Sequence, residues 1–165
     1  MIDLDPDILL LKGTTPMSIE TRTHSNDALA PTLSRTTCRI AGILLLVMPS
    51  VEFGGYFLTL VDTGKVPQTA FQQSFDRAGH AHAAVLLMLS LVSLLLADAL
   101  RLTGWFGWVS RLAIPAAAVL ISAGFFLSAL GSGRTQPNSL VIVLWLGVAA
   151  LTTGLISLGV ALLRR

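Results

Sequence analysis

Charged side chains make up only 12% of the 165 residues, and the chain holds one cysteine, one tyrosine and three histidines. Cys38 on its own rules out an intrachain disulfide and a multi-cysteine metal site. The net charge is +2, with the basic residues scattered in pairs instead of forming a dense patch, so nucleic acid is not expected as a partner. No serine or cysteine nucleophile stands at recognisable spacing from a histidine, and no phosphate-binding glycine loop is present. Enzyme activity therefore ranks below binding, transport and structural roles.

Apolar side chains, by contrast, are abundant: 53% of the residues are hydrophobic and the mean hydropathy is +0.76. They concentrate in four runs, Ile40 to Val61, Ala78 to Leu100, Leu112 to Leu130 and Leu140 to Leu163. Each run is close to the ~20 residues needed to cross a hydrocarbon layer of about 30 Å. Continuous apolar runs such as "AVLLMLSLVSLLLA" lack the alternation of barrel strands, and hydrocarbon offers the backbone no other partners. The expected fold class is an all-α integral membrane protein, a bundle of four transmembrane helices in the lipid bilayer.

Orientation follows from the Lys and Arg flanks. Arg35, Arg39, Arg101, Arg111, Arg164 and Arg165 fall on one side, and Lys65, Arg77 and Arg134 on the other. By the positive-inside rule both ends of the chain are expected in the cytoplasm, which for a bacterium means the inner membrane. Trp105 and Trp108, in the loop between the second and third runs, fit an aromatic belt at that surface. Residues 1–34 are polar and without helical period, so they are expected to be a disordered tail, with Met17 as an alternative start. The first apolar run lies behind this tail and contains Glu52, which argues for a retained helix and against a cleaved signal.

Shifting the second half by 69 residues aligns "GGYFLTLVDTGK", Gly54 to Lys65, with "AGFFLSALGSGR", Ala123 to Arg134. Glycine, aromatic and basic positions coincide, so the chain reads as two tandem helical hairpins of the same orientation. Small residues four apart, such as Gly79 with Ala83 and Gly124 with Ser128, are the expected points of close helix packing. The halves differ in polarity: Glu52, Asp76, His80 and His82 align with Ile121, Trp145, Ala149 and Leu151. The first hairpin is therefore the expected site and the second its scaffold.

Glu52 lies about 18 Å from the cytoplasmic end of its run and about 13 Å from the other. Intramembrane carboxylates usually face a bundle interior or wet cavity and carry ions, protons or ligands. Pro49 just before it, and Gly54 and Gly55 just after, predict a loosened helix there. His80 and His82 stand at the start of the second run, two residues apart and so about 200° apart on a regular helix. They converge on one point only if that start is irregular. With Glu52 at similar depth, the expected sets are His80, His82 and Glu52 around a metal ion, or a His and Glu proton relay. Asp76, four residues before His80, is placed to orient its imidazole. Ser90 and Ser93 extend a polar track inward on this reading, unless their hydroxyls bond local carbonyls. A haem with two histidine ligands within one chain does not fit, since both histidines come from one helix end and His24 lies in the tail. A five-coordinate haem, or one shared across a dimer, stays open.

The motif "RAGHAHA", Arg77 to Ala83, flanked by "GGYFLT" and "AGFFLSALG", resembles small four-helix bacterial membrane proteins of uncharacterised function, over roughly Arg35 to Arg165. The resemblance implies the fold and brings no ligand. This chain has Ala84 where that pattern has glycine. Three functions compete: binding of a metal, haem or quinone-like ligand at the His/Glu site; proton-coupled transport as a homodimer, comparable in layout to small multidrug exporters; and a structural or assembly subunit of a larger membrane complex.

Overall fold

In a computed structural model, residues 33–164 are described, and the expected tail and alternative start lie outside them apart from Leu33 and Ser34. Four helices follow one another: α1 (Arg35–Asp62), α2 (Ala70–Ala99), α3 (Gly104–Ala129) and α4 (Val141–Leu163). Among the described residues no strand occurs. All four helices are long and apolar enough to cross a membrane, and the chain is a multi-pass membrane protein.

Three helix starts lie earlier than the apolar runs indicate, for one physical reason. Helices of 28, 30, 26 and 23 residues extend about 35 to 45 Å, past the hydrocarbon and into the headgroup layers. Their polar first turns carry no hydropathy signal and are held by hydrogen bonds instead. Ser34 caps α1, its hydroxyl accepting from the Thr37 amide at 3.1 Å. Thr69 and Gln72 form a capping box that opens α2 eight residues ahead of Ala78. In α3 the early start carries Trp105 and Trp108 into the first helical turns, correcting their placement in a loop; both remain exposed.

The helices alternate in direction, as the contacts at their ends establish. At one end, the Ser34 amide donates to Asp98 Oδ2 at 2.7 Å, and Arg111 on α3 binds Asp98 Oδ1 at 2.8 Å. At the other, Arg77 pairs with Asp62, and Gln72 donates to the Ala129 and Gly131 carbonyls. Gly124 of α3 meets Leu144 of α4 and Gly154 of α4 meets Ile114 of α3, so these two run antiparallel, and the start of α1 and the end of α4 share a side.

Packing is unequal. Helix α3 seats intimately on α4 and α2, whereas α1 leans on α2 alone, through Leu44, Leu87 and Leu94 with Ile40, Ala41 and Met48 around them. Glycines explain the tight side. A Cβ on Gly124 would lie 2.4 Å from the Leu144 backbone nitrogen, and one on Gly154 would meet Ile114 Cγ1 at 2.7 Å. Only glycine permits that approach, and in lipid such contacts do the work that hydrophobic burial does in water. The Ser110 and Ser157 hydroxyls add a buried 2.8 Å hydrogen bond across the same pair.

Candidate functional site

The early start of α2 decides the geometry of the histidines. His80 and His82 are the eleventh and thirteenth residues of a regular helix and not its frayed mouth, so the irregularity that a shared metal would need is missing. They point to different neighbours. His80 lies against α1, where a Cβ on Gly54 would be 3.3 Å from its Nδ1 and one on Gly55 would be 3.4 Å from its Cε1. His82 is exposed, its ring centroid 5.1 Å from that of Phe125 on α3. Its Nδ1–H donates to the Ala78 carbonyl at 2.7 Å, the roles following from the carbonyl being an acceptor only.

Glu52 is not drawn into the bundle. It is exposed on α1, and among the described residues it makes no ion pair. No three His, Cys, Asp or Glu side chains converge among the described residues. The set His80, His82 and Glu52 is therefore not assembled within one chain, because the 200° separation of the histidines persists and Glu52 projects off the flank of α1. Asp76 is 7% exposed and accepts a 2.7 Å hydrogen bond from Gln68 Nε2. That bond stitches the loop after α1 to α2, and Asp76 does not orient His80. Arg77 finds its carboxylate in Asp62, half-exposed at the same end. Ser90 and Ser93 bond the Leu86 and Ser90 carbonyls, so they form no polar track.

What the structure does assemble is a groove. Helix α2 floors it and α1 and α3 wall it, since both lean on α2 and scarcely touch one another. The cavity measures about 240 Å³ and is lined mainly by apolar or small side chains, among them Val47, Val51, Leu87, Ala118 and Phe126. Its polar side chains are His80, Ser122 and Ser50. Ser50 is spent on the Val47 carbonyl at 2.6 Å. Ser122 is 8% exposed, and its Oγ is buried without a hydrogen-bond partner. Most buried hydroxyls in helices settle on a carbonyl of the preceding turn, as Ser90 and Ser128 do here. Ser122 is thus an unspent hydroxyl among the side chains lining the same apolar recess as His80.

Sequence reasoning missed Ser122, which reads as a small packing residue beside Ala118. It also missed Asp98 and Arg111, which join α1, α2 and α3 at one end. Arg111 further donates to the Leu102 and Gly107 carbonyls at 2.8 and 3.2 Å, closing the turn before α3. The spacing of thirteen residues between two opposite charges across a short turn is the signal that marks them.

No family model, curated protein or solved structure matches this chain.

Proposed function

We propose that this protein binds a lipid-soluble, quinone-like molecule by its headgroup in the groove of α1, α2 and α3, with His80 and Ser122 as the hydrogen-bonding pair. The unpartnered Ser122 hydroxyl carries the reading. Binding sites for small molecules are mostly apolar with a few placed polar groups, and this groove has that composition. Its volume lies below the roughly 300–1,000 Å³ of sites that engulf a drug-sized ligand. A single ring fits inside while an apolar tail continues into the bilayer. A carbonyl of such a ring accepts from Ser122 Oγ, and His80 offers either a donor or an acceptor to its opposite edge. A metal or haem is the weaker form of the ligand reading, because the donors diverge.

The tandem hairpins give this site an origin. On the 69-residue shift Gly55 corresponds to Gly124 and His80 to Ala149. In the second hairpin Gly124 admits the Leu144 backbone, while in the first the equivalent notch receives an imidazole. Exchange of alanine for His80 in a duplicated hairpin holds α1 away and opens the groove. The arginine-rich end, with Arg35, Arg39, Arg101 and Arg111, lies in the cytoplasm of a bacterial cell on this reading, and the His80 end toward the outer leaflet.

The test is organic extraction of protein purified in mild detergent, followed by absorbance and mass measurement of what is released. A prenylated or alkylated cyclic dione recovered near one per chain, and lost on His80→Ala, supports the reading. Wild-type protein that releases only phospholipid, and takes up no added decylubiquinone, removes it.

A further inference from the structure

Two recesses meet at Trp108, toward the arginine-rich end. The first lies between the starts of α1 and α3, measures about 330 Å³ and is lined by Ser34, Thr36, Thr103, Trp108 and Arg111 among others. The second is an open groove of about 420 Å³ between α3 and α4, lined by Trp105, Trp108, Leu112, Ala116, Ala149 and Thr153 among others. Helix geometry makes them neighbours. Relative to Trp108, Gly104 and Arg111 stand about 40° and 60° to one side of α3, and Leu112 and Ala116 about 40° and 80° to the other. The two recesses differ in chemistry. In the first, Thr36 and Thr103 bring hydroxyls, and that of Thr103 is not spent on capping α3. The second is apolar, since its one hydroxyl, on Thr153, bonds the Ala149 carbonyl at 2.8 Å. From Trp105 to Ala116 it runs about 17 Å along α3, about the depth of one hydrocarbon leaflet.

We propose that an anionic phospholipid docks here, its phosphate at the polar recess and one acyl chain along the groove between α3 and α4. Charge chooses this occupant. Among the described residues the arginine-rich end carries Arg35, Arg39, Arg101, Arg111 and Arg164 against one carboxylate, Asp98, which Arg111 and the Ser34 amide already engage. Arg35 and Arg101 are exposed and make no ion pair among the described residues. In the chain they adjoin Ser34, Thr36 and Leu102, which line the polar recess. A zwitterionic headgroup would bring a positive charge to the same place, and a free phosphate would leave the groove unused. Trp105 and Trp108, both exposed, have the amphipathic rings that settle at headgroup depth. The site shares no lining residue with the groove at His80 and stands independently of the ligand reading.

The experiment is native mass spectrometry of the full chain, delipidated in mild detergent and titrated with dioleoyl phosphatidylglycerol or dioleoyl phosphatidylcholine. Wild type is expected to retain one phosphatidylglycerol more tightly than any phosphatidylcholine. Arg35→Gln combined with Arg101→Gln should weaken phosphatidylglycerol about 5- to 30-fold, whereas Arg77→Gln at the opposite end should match wild type. Ala116 is exposed, so Ala116→Trp fills the groove without entering the bundle and should weaken phosphatidylglycerol several-fold. Equal retention of the two lipids by wild type overturns the proposal, as does a double variant that matches Arg77→Gln. Wild-type affinity in Ala116→Trp overturns it as well, because a phosphate held without its chain needs no groove.

Discussion

The imidazole of His80 fills the notch at Gly54, where an added Cβ would lie 3.3 Å from Nδ1. A Cβ added at Gly124 would lie 2.4 Å from the backbone nitrogen of Leu144. One glycine makes room for a side chain that can move, the other for a backbone that cannot.

Substitution should separate the two. Gly124→Ala forces α3 and α4 apart and is expected to destabilise the protein by about 2 kcal/mol or more. Gly54→Ala asks His80 to yield a few tenths of an ångström, and alanine's helix propensity offsets roughly 1 kcal/mol of that. Its unfolding in detergent, followed by circular dichroism against denaturant, should stay within about 1 kcal/mol of wild type. Equal losses at both positions would contradict the packing described for the two hairpins.

Asp98 and Arg111 form the most sheltered ion pair among the described residues, with 9% and 12% of their side chains exposed. Asp98 also receives the Ser34 amide. Arg111→Ala leaves that carboxylate half-satisfied and is expected to cost about 2 kcal/mol, between exposed and fully buried pairs. Arg77→Ala, which breaks a half-exposed pair, should cost less than about 1 kcal/mol. Parallel unfolding curves of the two variants, each in low and high salt, check the order. The Asp62–Arg77 pair should show the larger fractional salt response.

The turn between α2 and α3 places Arg101 at φ 52°, the left-handed region that favours glycine. Arg101→Gly relieves that conformation and is expected to raise stability by about 0.5–1 kcal/mol, read from the midpoint of thermal unfolding. A destabilised variant would mean that the arginine side chain contributes more than its backbone conformation costs.

The fold was legible because four apolar runs of sufficient length have one physical solution in a bilayer. The helix starts were not, since hydropathy stops where the hydrocarbon stops and the caps at Ser34 and Thr69 act beyond it. "TAFQ", Thr69 to Gln72, does carry the capping-box pattern, and reading it would have placed His80 and His82 on regular helix. Of the candidate site, the 200° divergence of the histidines was derivable from spacing alone and holds in the structure. The neighbour of His80 was not derivable, because which face of α2 meets α1 depends on packing across a 7-residue linker, 63–69. Ser122 was hidden for the same reason: an unspent hydroxyl becomes visible only once its surroundings are known.

The central claim is a headgroup site at His80 and Ser122, and titration of the protein in lipid nanodiscs with decylubiquinone tests it most directly. Saturable binding near one per chain is expected for wild type, with Ser122→Ala weakened about 5- to 10-fold by loss of one hydrogen bond. His80→Ala should lose more, and Glu52→Gln, outside the groove, should match wild type. Non-saturable partitioning that is identical in wild type, His80→Ala and Ser122→Ala would contradict the account.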